Sequence, residues 1–404
     1  MVDKMNYIAK KTLEIIKTGS DELLSEKSLL MKLRSKNFLT IKFGCDPTAP
    51  DIHLGHTVLI NKLHQLQKLG HKIVFLIGDF TAQIGDPSQK NQTRPSLTTQ
   101  EIKDNCSVYE QQIFKILDRE KTFLRYNSSW FDRMSAGDMI RLASKQTVAR
   151  ILERDDFSKR YNAHQSIHIH EFLYPLIQGY DSVVVQSDIE IGGRDQKFNL
   201  LMGRELQKHF NQEPQVVITM PLLIGVDGLK KMSKSAKNYI GIAEDACTIF
   251  GKVMSISDNL MWHYYQLLSS RSASEINFLK ASITQGSRMR DIKIDLAKEI
   301  VSRFYSKTVA EAAHRNFLAQ FQQKQSPVNI PERIIPLSSD FVTITVLLKL
   351  SGLVNSTSEA MRMLRQDAVK VNGIKAGDPK IKFKRGEKSL FQVGKRRFMM
   401  INLV

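Results

Sequence analysis

Residues 43–56 read Phe-Gly-Cys-Asp-Pro-Thr-Ala-Pro-Asp-Ile-His-Leu-Gly-His. The stretch that leads into them, residues 38–43, is rich in the apolar and β-branched residues that are typical of a strand. The stretch that follows has leucines at helical spacing until Gly70, a residue type that commonly ends helices. The sequence therefore predicts a strand, a short turn and a helix, with two histidines in the first turn of that helix.

These histidines, His53 and His56, lie one helical turn apart. Backbone N–H groups are free at a helix N-terminus and the helix dipole is positive there, so the position favours an anion. Gly55 between them lets a flat ring approach the backbone. The pattern indicates a nucleotide site, although two surface histidines that cap a helix would give the same sequence. Zinc is disfavoured because no third ligand lies nearby, and we expect no protein-held metal.

A second stretch, Lys231-Met-Ser-Lys-Ser235, follows Gly228 and is predicted to be a loop. Two lysines three residues apart, beside small hydroxyl residues, suit a polyphosphate. A lysine-rich loop alone is more often a solvated turn. In this order and at this separation, however, the histidine and lysine stretches together resemble the two signatures of class I aminoacyl-tRNA synthetases.

Length and charge indicate several domains and a polyanionic partner. The chain has 404 residues, enough for two or three cores, a formal net charge of +18 and a pI of about 9.6. Residues 341–404 contain 13 Lys and Arg residues and 4 Asp and Glu residues, which is a net charge of +9. Half of the excess positive charge therefore lies in the last sixth of the chain, where RNA is the expected partner.

Cysteine usage and the N-terminus indicate the compartment. The three cysteines are few, odd in number and far apart, which is typical of a reduced protein. The first residues carry charges where a signal peptide would have an apolar core, and no apolar run reaches membrane-spanning length. We expect a cytoplasmic location.

The next predicted elements extend the opening strand and helix into a βαβ unit. Residues 72–77 are nearly all apolar, which suits a parallel strand covered on both faces. The loop after them leaves the carboxyl end of that strand, where open α/β sheets bind ligands. Asp86 is placed there to hold an ammonium group, and Lys90 and Arg94 to meet phosphate. A plain Asp-Pro turn is the alternative.

Tyr174, Gln178 and Asp181 recur at i, i+4 and i+7 and so share one helical face. That face is either a solvated surface or the wall of a pocket. We predict that residues 182–187 form a buried strand, and this favours the pocket. A glycine pair followed by Asp195 and Gln196 then offers close backbone approach and a carboxylate for ribose hydroxyls.

The remaining pattern predicts the domain boundaries. Residues 1–225 form a Rossmann-like catalytic domain, an α/β fold with a parallel sheet, interrupted by a helical insertion at 135–163 that is a candidate dimer interface. The lysine loop and a helical domain occupy 226–325, a proline-rich linker 326–340 and a basic α+β domain 341–404. Within the last domain, helices are predicted at 344–350 and 358–365, and Asn372-Gly373 predicts a type I′ hairpin.

Over essentially the whole chain the motifs are similar to those of tyrosyl-tRNA synthetases, and the basic end resembles an S4-type RNA-binding domain. The resemblance implies ATP-dependent activation of L-tyrosine and transfer to tRNA(Tyr) by a homodimer, with Mg²⁺ entering on ATP. By the same resemblance each site residue has an implied role. Catalysis falls to Thr48, His53, His56, Lys90, Arg94, Lys231 and Lys234; ATP binding to Gly44, Asp46, His53, Gly55, His56, Gly193, Asp195, Lys231, Lys234 and Ser235; tyrosine binding to Asp86, Tyr174, Gln178, Asp181 and Gln196; and RNA binding to Arg362, Arg365, Lys370 and Lys375.

One position departs from the family pattern. Many members have a tyrosine on the opening strand as a second partner of the substrate phenol, and here that position is Lys42. Three other functions stay open: a tryptophanyl-type synthetase, a small-molecule nucleotidyl transferase with the same histidine signature, and an inactive synthetase-like RNA-binding protein.

Overall fold

The computed structural model describes residues 2–48, 51–88, 97–284, 286–322, 330–337, 340–394 and 397–404. The chain divides into two compact units, residues 1–314 and 315–404. Within the described ranges no helix is long and apolar enough to cross a bilayer.

The first unit is built around a six-stranded sheet in the order β1-β6-β5-β2-β3-β4. Its strands are β1 (Glu22–Leu24), β2 (Thr40–Cys45), β3 (Lys72–Ile77), β4 (Thr122–Tyr126), β5 (Ile189–Gly193) and β6 (Val216–Met220). All neighbours are parallel except β1, which runs antiparallel to β6. Central parallel strands are covered on both faces, which explains their continuous apolar runs. The α/β class and the predicted strands around 38–43, 72–77, 123–126 and 216–219 are confirmed.

Helices cover this sheet and continue beyond it. They are α1 (Val2–Lys17), α2 (Glu26–Ser35), α3 (Leu54–Lys68), α4 (Thr81–Ile84), α5 (Thr99–Ile113), α6 (Ser128–Phe131), α7 (Ala136–Ala143), α8 (Val148–Leu152), α9 (Asp155–Asn162), α10 (Ile169–Val184), α11 (Lys197–His209), α12 (Ala246–Ser255), α13 (Asp258–Leu268), α14 (Ala273–Thr284), α15 (Met289–Phe304) and α16 (Lys307–Gln322). Residues 135–163 are helical, as predicted, and Leu142, Ile151 and Phe157 join a core with α10 and α11.

The predicted strand at residues 182–187 is wrong. Helix α10 continues through Val184, and the strand begins at Ile189. Three consecutive valines have high β-propensity, but their backbone N–H groups stay in helical bonding, with Val185 N–H donating to the Asp181 carbonyl at 3.0 Å. Gln186 then takes a left-handed turn with φ of 48° that redirects the chain. The pocket argument therefore depends on the helix face alone.

The second unit contains a five-stranded sheet in the order β10-β9-β12-β13-β7 and a two-stranded sheet β11-β8. Its elements are β7 (Glu332–Ile335), β8 (Phe341–Thr343), α17 (Ile344–Leu350), α18 (Thr357–Arg365), β9 (Val369–Val371), β10 (Ile374–Lys375), β11 (Lys382–Lys384), β12 (Lys388–Val393) and β13 (Arg397–Leu403). Asn372 and Gly373 have φ of 48° and 83°, which confirms the type I′ hairpin. Strand β7 lies in the range 326–340, which was predicted to be a linker. These residues form a strand because they pair in parallel with β13.

Candidate active site

The histidine turn is a neutral pair of imidazoles at the start of α3. His53 Nδ1 accepts from the Gly55 N–H at 3.2 Å, and His56 Nδ1 accepts from the His53 N–H at 3.2 Å. Burial and the nearby cations lower the pKa of His53 to about 2 and that of His56 to about 4. Since each Nδ1 is an acceptor, each ring carries its proton on Nε2. The histidines cap the helix and still offer two N–H donors.

The lysine loop is attached to the backbone on both sides of His53. Leu54 N–H donates to the Ile240 carbonyl at 2.9 Å, and Ile242 N–H donates to the Ile52 carbonyl at 3.0 Å. These bonds place the end of the loop beside the first turn of α3. The two signatures, which lie far apart in the sequence, are therefore neighbours in the fold.

Asn238 organises the loop itself. Its side-chain N–H₂ donates to Asp227 at 2.9 Å and to the carbonyls of Lys230 and Lys231, while its Oδ1 accepts from the Ser233 N–H at 2.9 Å. Asn238 is only 3% exposed. A buried amide that bonds four separate groups holds the loop backbone in one conformation.

The two lysines point toward carboxylates of the first unit. Lys231 Nζ lies 2.9 Å from Asp195 Oδ2, and Lys234 Nζ lies 4.0 Å from Asp51 Oδ2. Among the described residues, Lys234 Nζ is buried without a hydrogen-bond partner. Burial lowers the pKa of Lys234, which indicates a cation that an incoming anion would stabilise.

Asp195 lies in a single 3₁₀ turn, Arg194–Gln196, directly after β5. A Cβ at Gly193 would come within 2.6 Å of Asp195 Oδ1 and 3.0 Å of Leu222 Cδ2, so a larger residue would displace both side chains. The close approach of a ligand to the glycine pair stays a prediction. The ribose role of Asp195 stays a prediction.

A half-buried carboxylate directly after β2, Asp46, accepts hydrogen bonds from two hydroxyl groups. The Tyr174 hydroxyl donates to Asp46 Oδ2 at 2.8 Å, and the Thr81 hydroxyl donates to Asp46 Oδ1 at 2.7 Å. Tyr174 therefore reaches from α10 to the carboxyl edge of the sheet. Asp46 joins the histidine turn to the helix face that carries the predicted tyrosine pocket.

Asp181 is the deepest carboxylate of that pocket, at 1% exposure. Its Oδ1 accepts from Trp130 Nε1 at 3.0 Å, and its Oδ2 accepts from Asn127 Nδ2 at 3.3 Å. Burial raises the pKa of Asp181 to about 7, against the opposing effect of Lys42 and of these two donors. At or above that pH it is an acceptor suited to a phenol hydroxyl.

Asp86 is held by three groups whose contact with it the sequence did not indicate. It accepts from Gln196 Nε2 at 2.8 Å and the Ser88 N–H at 2.9 Å, and Arg154 lies 3.4 Å away. Burial opposes its ionisation, but the Arg154 guanidinium and these hydrogen bonds outweigh burial and keep the pKa of Asp86 below its ordinary value. Asp86 and Gln196, predicted separately, are therefore direct partners.

Lys42 does not take the place of a phenol donor. Its Nζ lies 2.8 Å from Glu190 Oε1 and donates to the Ser182 hydroxyl at 2.8 Å and the Gln178 carbonyl at 3.1 Å. The contacts with Ser182 and Gln178 are hydrogen bonds, and the contact with Glu190 is an ion pair. The side-chain Oε1 of Gln178 is buried without a partner among the described groups, and so is available for a ligand.

The other predicted residues are placed as follows. Thr48 is half-buried in the segment that leads to the histidine turn. The hydroxyl oxygens of Ser235 and Ser233 are 3.3 Å apart. Lys90 and Arg94 fall outside the described residues. In the second unit Arg362 and Arg365 are exposed on α18. Lys370 and Lys375 face each other across the hairpin, and Lys375 pairs with Asp367 at 3.1 Å.

The sequence did not single out Asn127, Trp130, Arg154 or Asn238, although each bonds a site residue or the lysine loop. Asn127 and Trp130 follow the end of β4, and strand-end position at the carboxyl edge was the available signal. Arg154 lies between α8 and α9, where apolar periodicity is the main signal in the sequence.

Comparison with known proteins identifies the family. The model for class I tRNA synthetases (W and Y) matches residues 34–322. A tyrosine–tRNA ligase of Francisella tularensis is 62% identical over 392 residues, 97% of this chain and 98% of the relative. One from Idiomarina loihiensis is 56% identical over 396 residues, 98% of each chain. The crystal structure of a C-terminally truncated mitochondrial tyrosyl-tRNA synthetase of Coccidioides posadasii has a TM-score of 0.65 at 20% identity, covering 78% of this chain and 96% of that one, and so shares the fold. The chain belongs to the tyrosine–tRNA ligases of the class I tRNA synthetase family.

Proposed function

We propose that the protein activates L-tyrosine with ATP to give tyrosyl-adenylate and pyrophosphate, and then transfers the tyrosyl group to the terminal ribose of tRNA(Tyr). The observation that carries this proposal is the meeting of two neutral imidazole donors and two lysines beside a pocket that ends in a buried carboxylate. In the first step the tyrosine carboxylate attacks the α-phosphorus. No covalent enzyme intermediate is needed, so catalysis consists of placement and charge stabilisation.

The phosphate side of the site is assigned to four groups. The Nε2–H donors of His53 and His56 and the cations of Lys231 and Lys234 face developing charge on the leaving pyrophosphate. Donors that are fixed before the reaction stabilise a transition state most effectively in a site shielded from water. Thr48, Lys90 and Arg94 are proposed to add to this set, with Gly44, Asp46 and Ser235 lining the nucleotide site. Mg²⁺ is proposed to enter on the phosphate oxygens of ATP.

The same geometry assigns residues to the adenosine and to the amino acid. Gly55 allows the nucleoside to approach α3, and Gly193 and Asp195 are proposed to bind the ribose. Asp181 accepts a hydrogen bond from the phenol hydroxyl, and the unpartnered Gln178 Oε1 accepts one from the substrate ammonium, with Tyr174 beside it. Asp86 already holds Gln196, but a carboxylate has about four lone-pair sites and can accept a further donor.

The remaining proposals concern partners and place. We propose that the helices within 226–325 and the basic residues Arg362, Arg365, Lys370 and Lys375 contact tRNA phosphates, in a cytoplasmic enzyme. We also propose a homodimer, since Ile140 and Val148 of the 135–163 segment are apolar and 70% and 62% exposed. Light scattering on the eluted protein tests the dimer, and Ile140→Asp should then yield monomer.

ATP–pyrophosphate exchange across a panel of amino acids separates the alternatives. We expect exchange with tyrosine only. Exchange with tryptophan would indicate the tryptophanyl-type enzyme, and no exchange with any amino acid would indicate either an inactive RNA-binding relative or a nucleotidyl transferase. A charging assay with tRNA(Tyr) then tests the second step.

A further inference from the structure

A fully buried ion pair lies directly behind the proposed tyrosine pocket. Lys42 on β2 and Glu190 on β5 are neighbouring partners in the sheet, with exposures of 0% and 1%, and their charged atoms are 2.8 Å apart. Burying two charges is costly unless each finds further partners. Glu190 Oε2 accepts from the Ser182 hydroxyl at 2.9 Å and also from the Gln215 amide.

The other contacts of Lys42 are made to a single helix. Its ammonium donates to the Gln178 carbonyl and the Ser182 hydroxyl, which lie on α10 on either side of Asp181. One cation therefore joins the middle of the sheet to the helical turn that carries both Gln178 and the pocket carboxylate. Its ammonium is fully buried and is already bonded to α10 and paired with Glu190.

We propose that Lys42, with Glu190 as its counter-ion, is a positioning residue that sets the place of Asp181 and keeps it ionised to accept the substrate phenol. This inference rests on the proposed function and assigns a determinant of its tyrosine specificity. Lys42 acts through Asp181 and through the helix turn, without touching the substrate.

The charges that face Asp181 determine whether each variant raises or lowers the pKa of Asp181. Lys42 from β2 lowers the pKa of Asp181, Glu190 from β5 raises it, and the neutral donors Asn127 and Trp130 lower it. Burial raises the pKa to about 7, and Lys42 is the strongest opposing influence. Removing both charges of the pair therefore raises the pKa further, whereas removing only the charge of Glu190 lowers it.

The experiment measures kcat/KM for tyrosine and for phenylalanine in pyrophosphate exchange between pH 6 and pH 8.5, and follows their ratio. Since kcat/KM reports ionisations of the free enzyme, and steps common to both substrates cancel, the ratio isolates the phenol acceptor. The variants are Lys42→Met/Glu190→Gln, which removes both charges, and Glu190→Gln, which nearly preserves shape. Lys62→Met is the matched control, because Lys62 is a second buried lysine, bonded to carbonyls at the end of α1.

In the double variant we expect the midpoint pH of the fall in this ratio to increase by on the order of one unit. This is the low end of the pKa shifts that loss of an opposite charge causes. The ratio would then be about five-fold below wild type at pH 7 and close to it at pH 8.5 or above. In Glu190→Gln the fall moves to lower pH, and in Lys62→Met it does not move. An unmoved or reversed fall in folded Lys42→Met/Glu190→Gln or Glu190→Gln protein overturns the inference. Wild-type protein that lacks tyrosine-dependent exchange would instead refute the proposed function.

Discussion

Replacing Asp181 with asparagine is expected to reduce selectivity for tyrosine over phenylalanine while leaving the pocket's shape unchanged. Asp181 is buried, and its two oxygens already accept from Trp130 at 3.0 Å and Asn127 at 3.3 Å. A substrate hydroxyl is therefore the third donor to the same carboxylate. Asparagine has the same size, but it turns an N–H₂ group toward donors and carries no charge.

The size of the effect follows from the type of bond that is lost. A hydrogen bond to a charged group contributes about 1.5–3 kcal/mol. At 1.36 kcal/mol per factor of ten, kcat/KM for tyrosine falls between about ten-fold and about 150-fold. Phenylalanine lacks the hydroxyl, so its kcat/KM should change by less than about three-fold.

The same carboxylate predicts a pH dependence in the wild type. The pKa of Asp181 is raised to about 7, so the carboxylate accepts a phenol proton above that pH and is protonated below it. The tyrosine-to-phenylalanine ratio of kcat/KM should fall as pH drops from 8 to 6, and Asp181→Asn should abolish this fall. Both histidines titrate well below this range and do not interfere.

Pyrophosphate exchange with each amino acid, at several pH values, provides the assay. Asp79→Asn is the control, because Asp79 is a nearby carboxylate that accepts from the Ser128 N–H and hydroxyl at 2.9 and 2.6 Å. It should lose some stability and keep its selectivity. Unchanged selectivity in folded Asp181→Asn, or a wild-type ratio that is flat across this pH range, would refute the reasoning.

Three further changes test other parts of the molecule. Lys231→Ala or Lys234→Ala should slow single-turnover adenylate formation by roughly 10²–10³, because each removes one cation that faces the leaving pyrophosphate. Equilibrium tyrosine binding should stay within about two-fold. Equal losses of adenylate formation and tyrosine binding would mean that the lysines do not act on the pyrophosphate. Arg160→Met should lower the free energy of unfolding by about 3–5 kcal/mol in urea titrations, because the buried Arg160–Glu171 pair is 2.6 Å apart. Ending the chain at Gln322 should preserve pyrophosphate exchange and reduce tRNA charging, and loss of both activities would give the second unit a structural role.

Strong local signals accounted for most of the fold. The continuous apolar run at 72–77 and the Asn-Gly dipeptide at 372–373 each predicted the observed element, because the signal and the structure are both local. The valine run after Ser182 misled because its strand propensity is overridden by its place at the end of a long buried helix. Strand β7 has mostly exposed side chains and therefore shows no alternating pattern.

The site residues also divide into those that a local sequence pattern predicts and those that only the fold brings together. The histidine and lysine signatures and Asp181 can be predicted from the sequence, because one helix or one loop fixes their spacing. Arg154 beside Asp86 is not visible, because the two residues are 68 positions apart and meet only through the fold. The role of Lys42 is hidden for the same reason, since its partners come from β5 and α10.

The double attachment of the lysine loop limits how that loop can move. Its ends are fixed by the Met232–Leu223 bond of 2.7 Å on one side and the Leu54–Ile240 bond of 2.9 Å on the other. Between these two bonds the backbone of Lys237 is left-handed, with φ of 53°. Any movement of the loop is therefore confined to residues 233–239, and we expect substitutions there to change the rate of pyrophosphate release without disturbing the core of the catalytic unit.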